Sequence, residues 1–168
     1  MKKLAITAFL VAVLTMVMAV PIMAAPTLHK VTGGGTVDFS GFMESYGFTA
    51  RQTNEDGTAT GHVHMTWHYA SPSGATPWIM NSEVLYLAVD ADAGEAWIGA
   101  VITGSNDPLW VGMEYVLRVI DGGEGRDAGQ DMISYTDISR TAIEALDMPT
   151  DGGLAILVPW INGNIQVK

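Results

Sequence analysis

This chain of 168 residues reads as an all-β protein: an antiparallel barrel-like or sandwich domain of about eight strands, with one short helix near the C-terminus. Three observations predict that class. Apolar and polar residues alternate with period two in run after run, turn residues separate the runs at hairpin spacing, and only one stretch carries helical start signals. The alternation is clearest between residues 94 and 125. There Tyr115, Leu117 and Val119 share one face while Glu114, Val116, Arg118 and Ile120 share the other, as in a half-buried strand.

Taken in order, residues 27–35 end in three glycines and read as a flexible lead-in to the first strand. Val37 and Phe39 share a face before Ser40 and Gly41 interrupt the run, and Tyr46, Phe48 and Ala50 share a face in the next. Residues 54–57, Asn-Glu-Asp-Gly, form a strong turn signal, since Asp-Gly supplies the positive backbone angles of a tight hairpin. Residues 61–69 put Val63, Met65, Trp67 and Tyr69 on one face and His62, His64, Thr66 and His68 on the other. From Trp78 onward Leu85, Leu87 and Val89 alternate with Val84, Tyr86 and Ala88, apolar on both faces, which predicts a central strand.

After a turn at residues 90–94 come two runs joined by a polar, proline-containing turn and closed by an acidic, glycine-rich loop. Residues 132–135 make a short strand. Residues 139–146 are the helical candidate, with Thr141 and Glu144 spaced as a capping box and Met148-Pro149 as the stop. The last region, 154–168, is broken by Pro159 and turns at Asn162-Gly163 before a closing strand NIQVK. That short strand can pair with the first and remove two exposed edges at once, which favours the barrel.

Lys2 and Lys3, an uncharged apolar run, Pro21 and the small pair Ala24-Ala25 have the pattern of a secretory signal peptide over residues 1–24, leaving a single β domain over 25–168. The expected location is secreted or periplasmic, with no stable membrane insertion once the signal is removed. The chain has no cysteine, so neither a disulfide nor a lipidated-cysteine anchor is available and the core must hold the domain together. Loss of the two lysines takes the net charge from −10 to about −12. Such a surface repels phosphate backbones and anionic lipid, which excludes nucleic acid as a partner.

The succession VTGGGTV, YGFTARQ, a histidine-rich strand, VLYLAVDADAGEAWIGAVITGSN, EYVLRVIDGGEG, DMISY and terminal GNIQVK resembles small secreted bacterial β-domains of the post-COAP type. The resemblance spans nearly all of the chain after the signal. It implies an exported β fold without established catalytic residues. Some relatives place a cysteine near the position of Leu85, so the resemblance carries over no disulfide.

Two sets of residues have the composition of ion ligands. Residues two apart in a strand lie about 6.5–7 Å apart on the same face, so His62 and His64 can converge on one zinc or copper ion, with Glu83 or Asp38 as a further ligand. The competing reading is a polar, solvent-facing strand that happens to use histidine. The acidic loop offers Asp121, Glu124, Asp127 and Asp131 to calcium, although Gly123 and Gly125 stand where an EF-hand needs oxygen ligands. A solvated turn accounts for the same residues. Gly123, Gly125 and Ala128 have dinucleotide-binding spacing, but no helical pattern follows and the carboxylates would repel a pyrophosphate.

The chain lacks the G-x-S-x-G and H-E-x-x-H motifs. Of five tryptophans, Trp110 beside Asp107-Pro108 and Trp160 after a proline are expected to be exposed and to stack on a ligand. The sequence thus points to an exported, non-enzymatic binding or surface-interaction module for an unknown extracellular or periplasmic ligand, with no cofactor beyond calcium or zinc. The alternatives are a calycin-like carrier of a small apolar ligand, with small inward residues such as Gly99 and Ala88, and a small secreted hydrolase, which needs a carboxylate or histidine of perturbed acidity.

Overall fold

The computed structural model describes residues 28–52, 54–68, 76–124 and 129–168; the expected signal peptide and Asp127 lie outside them. Eight antiparallel strands form a closed barrel in which each pairs with its sequence neighbours: β1 His29–Phe39, β2 Phe42–Gln52, β3 Ala59–His68, β4 Trp78–Asp90, β5 Glu95–Ser105, β6 Glu114–Ile120, β7 Met132–Ser134 and β8 Leu157–Val167. β8 closes on β1 with Val31 opposite Val167 and Gly33 opposite Ile165. The closure expected for the terminal strand is therefore present, and it leaves no edge.

Alternation decides what fills the barrel. Val31, Phe48, Val63, Met65, Met80, Leu87, Ile98, Leu117, Ile133 and Ile165 belong to one buried interior cluster. Histidine and threonine of β3, and Thr49 and Arg51 of β2, face outward, while Glu44 of β2 is the charged exception on the inner face. Apolar inside and polar outside is the reverse of the arrangement that a lipid-spanning barrel uses. No helix among the described residues is long and apolar enough to cross a membrane.

The structure differs from the sequence expectation in four places. The three glycines are not a lead-in but the middle of β1. A side chain at Gly33 would run into the Phe48 ring, and one at Gly35 into the Trp160 indole, so the glycines make room for aromatic rings inside the barrel. Asn162-Gly163 is not a turn. β8 runs straight through it with a bulge, Val37 pairing with Trp160 and Thr36 with Asn162, so Ile161 is the extra residue; Gly163 takes a φ of 102°.

The third difference concerns β4, which is not central in a closed barrel; its outer face is apolar because something covers it. The chain between β7 and β8 returns across the outside, placing Ala145 and Leu154 against Ala88, Trp97 and Val116 in a second buried cluster. This segment holds the expected helix as a 3-10 helix, Ala142–Asp147, and the Thr141–Glu144 capping box is formed. The Trp97 indole N–H donates to the Pro149 carbonyl at 2.8 Å, and Arg118 pairs with Glu95 at 2.7 Å while lying over the Trp97 ring. Fourth, Gly99 and Ala88 face this outer layer rather than the lumen. The Gly99 position abuts the Ala142 carbonyl and has no room for a side chain.

Candidate functional site

Three strand ends and one loop build a cleft at one mouth of the barrel. β3 ends and β4 begins there, so Trp67 and Trp78 become directly opposed residues of the ladder, their ring centroids 4.2 Å apart. The connection between β5 and β6 contributes the third ring. Asp107 accepts the Leu109 N–H at 3.1 Å and so caps a single 3-10 turn, Pro108–Trp110, whose first position suits proline's fixed φ. That turn carries Trp110 over Trp78, at a centroid distance of 4.4 Å and an interplanar angle of 60°. The rings line a cleft of about 430 Å³ together with Thr76, Asn106 and Asp107.

Hydrogen bonding determines what these groups can offer a ligand. The Trp78 N–H donates to Ser105 Oγ at 3.0 Å, and the Trp67 N–H points to Met65 Sδ at 2.7 Å. Both Asn106 amide atoms are engaged, the oxygen by the Ile79 N–H and the nitrogen by the Pro77 carbonyl. The cleft thus presents indole surface, the Trp110 N–H, the Thr76 side chain and the second carboxylate oxygen of Asp107, which receives no hydrogen bond from the described residues.

Behind Trp67 lies a carboxyl group. Glu44 is the cross-strand neighbour of Trp67, points into the barrel and is 5% exposed. Its Oε2 accepts the Tyr46 hydroxyl at 2.5 Å. Burial pushes its pKa up to about 7, against the opposing effect of the hydrogen bond from Tyr46. Burial and then the Glu44 charge push the Tyr46 hydroxyl well above the usual tyrosine range. Further inside, Tyr115 faces Ser82, and its acidity is suppressed chiefly by burial. The Tyr115, Ser82 and Thr136 hydroxyls have no hydrogen-bond partner among the described residues.

The residues singled out from sequence are dispersed. His62 and His64 share the exposed outer face of β3, as the alternation requires. His64 uses both ring nitrogens, Nδ1 with Asn81 at 2.9 Å and Nε2 with Thr66 at 3.3 Å, and Glu83 stands opposite His62 in β4. Asp121, Glu124 and Asp131 lie at the end of the barrel opposite the cleft. Asp131 accepts the Gly122 and Ile165 N–H groups, Asp121 those of Gly123 and Val167, and Glu124 the Gln166 amide. Among the described residues no group of three His, Asp or Glu side chains comes together as a metal ligand set.

Trp110 does line the cleft, but the expected exposure of Trp160 is incorrect. Trp160 is 4% exposed and packs inside the barrel against Tyr46 and Phe48, because the β8 bulge and the glycines of β1 accommodate it. Glu44, Trp67 and Trp78 were not singled out as a site. Extending the alternation of Tyr46, Phe48 and Ala50 back by one period reaches Glu44, a charged residue on the core face, and that signal was available in the sequence.

Compared with protein-family models, curated proteins and solved structures, the chain has no match.

Proposed function

We propose that this protein is an exported, water-soluble binding barrel that takes a small ligand at its tryptophan mouth. The observation that carries the reading is the convergence of Trp67, Trp78 and Trp110, from two strands and a loop, on one open cleft. Concave sites with aromatic walls and a few polar groups are where small molecules bind. Large side chains occupy the lumen below, including Phe48, Met65, Tyr115 and Trp160. Binding at the mouth therefore fits better than carriage of an apolar ligand deep inside. The apolar run of residues 4–20 behind Lys2 and Lys3 supports export.

One observation favours hydrolysis as a second reading: Glu44 is a carboxyl held near neutrality, as a general acid would be. Glu44 is not among the residues that line the cleft, and Tyr46 occupies one of its oxygens, so binding is the reading we adopt.

A fragment library of planar aromatics, sugars and amines, screened by ligand-observed NMR, tests the proposal. Fragments are expected to bind the wild-type protein with a change in tryptophan fluorescence and to be lost in Trp110→Ala. Hits that survive Trp110→Ala unchanged, or a library without hits, would sink it.

A further inference from the structure

Resting on that reading of the mouth, we infer that its ligand is an organic cation bearing an ammonium group, held against the tryptophan faces and countered by Asp107. The first argument is the donor inventory. A sugar site needs several convergent hydrogen-bonding groups, whereas here the Trp67 and Trp78 N–H groups and the Asn106 carbonyl oxygen are engaged within the protein, and the Ser105 oxygen accepts from Trp78 and from the Asp107 N–H. What the cleft presents is three indole rings and one uncommitted carboxylate oxygen, beside the Thr76 side chain and the Trp110 N–H. Indole faces attract cations more strongly than other aromatic faces do, and a carboxylate at the rim adds direction to that attraction.

The second argument is the distribution of charge over the barrel. Lys30, Arg51 and Lys168 sit at the far end, where β1 begins, β2 ends and the backbone of residue 168 pairs with that of residue 30. Arg118 is bound to Glu95. Arg140 is held by Asp137 at 3.2 Å, Glu144 at 3.7 Å and Asp151. No other lysine or arginine appears among the described residues, and residues 69–75, next to the cleft in sequence, carry no charge at all. Asp107 thus acts on the mouth with no uncommitted lysine or arginine among the described residues there to cancel it. The low-dielectric indole walls concentrate the resulting negative potential where the ligand would sit.

Charge is separated from shape by comparing choline with 3,3-dimethylbutan-1-ol, which has the same outline but carbon in place of the charged nitrogen. Binding to the purified protein is followed by tryptophan fluorescence and NMR. Choline is expected to bind about tenfold more tightly than the neutral alcohol. Asp107→Asn keeps the oxygen that caps Leu109, so the loop is retained; it should weaken choline by about fivefold and leave the alcohol unchanged. Trp110→Ala should abolish binding of both.

Equal affinity for the two probes, or choline binding indifferent to Asp107→Asn, overturns the cation inference while leaving a binding mouth intact. If neither probe binds, the cation inference also falls, and the fragment screen alone then decides whether the mouth binds anything.

Discussion

The two ends of the barrel carry carboxylates of opposite character. At the end formed by the β6–β7 loop, Asp121 and Asp131 each use both oxygens on backbone N–H groups, tying the loop to β8 and to itself. At the mouth, Asp107 spends one oxygen on its cap, and Glu44 is buried with a tyrosine donor and no cation. The acidic loop looks like an ion site in sequence because it has more acids. Counting acids is misleading when their lone pairs are already filled; the uncommitted carboxylate beside aromatic surface is the one with chemistry left to offer.

The sharpest way to break this comparison is Asp131→Ala. It leaves the Gly122 and Ile165 N–H groups without their acceptor, and the expected loss of stability is about 3 kcal/mol by urea or thermal unfolding. A loss below about 0.5 kcal/mol would mean that the loop acids are free after all and open to an ion.

Glu44 is expected to have the next largest effect, with the opposite sign. Its folded pKa of about 7 lies above the ordinary 4.5, so the folded state holds the proton more tightly than the unfolded chain does. Its contribution is therefore fully present below about pH 4.5 and is lost as the pH rises through about 7. Glu44→Gln retains an acceptor for Tyr46 but does not titrate. The variant should match wild type near pH 4 and exceed it by about 2 kcal/mol at pH 8, after allowance for residual solvent screening. Parallel pH–stability curves for the two proteins would show that Glu44 titrates normally.

Smaller effects complete the comparison. Asp107→Asn should change unfolding stability by no more than about 0.5 kcal/mol, because the capping oxygen stays; a larger loss would make Asp107 a structural residue like Asp131. His62→Ala with His64→Ala, on the exposed face of β3, should together cost about 0.5 kcal/mol. Isothermal calorimetry with zinc on the same double variant and on wild type would show whether the histidine face has any metal affinity to lose.

Much of the fold was legible because a barrel buries one face of each strand, and a period of two records that burial directly in the residue order. Tyr115, Leu117 and Val119, or Val63 and Met65, could be assigned to the inside with no coordinates at all. Where two faces are buried the rule loses its power. Ala88, Trp97 and Val116 pack outward under the returning segment; the two apolar faces of β4 signal that the outside is covered, but not what covers it. The β1 glycines and Gly163 depart from the sequence expectation for a related reason: glycine marks flexibility, a turn or a close approach, and only the rings of Phe48 and Trp160 decide which.

Alternation and turn chemistry determined the antiparallel all-β class from sequence, since these are local signals with a local physical cause; between barrel and sandwich the closing strand only favoured the barrel, and the β1–β8 pairing decided it. The mouth was a tertiary decision. Trp67 and Trp78 are opposed only because the β3–β4 register makes them so, and Trp110 arrives from a capped turn between β5 and β6. Which hydrogen bonds are already spent, at Asn106, Ser105 and Asp131, is likewise settled by the partners that closure brings within reach. Side-chain identity is written in the order of residues, whereas the free valence of a side chain depends on its neighbours in space.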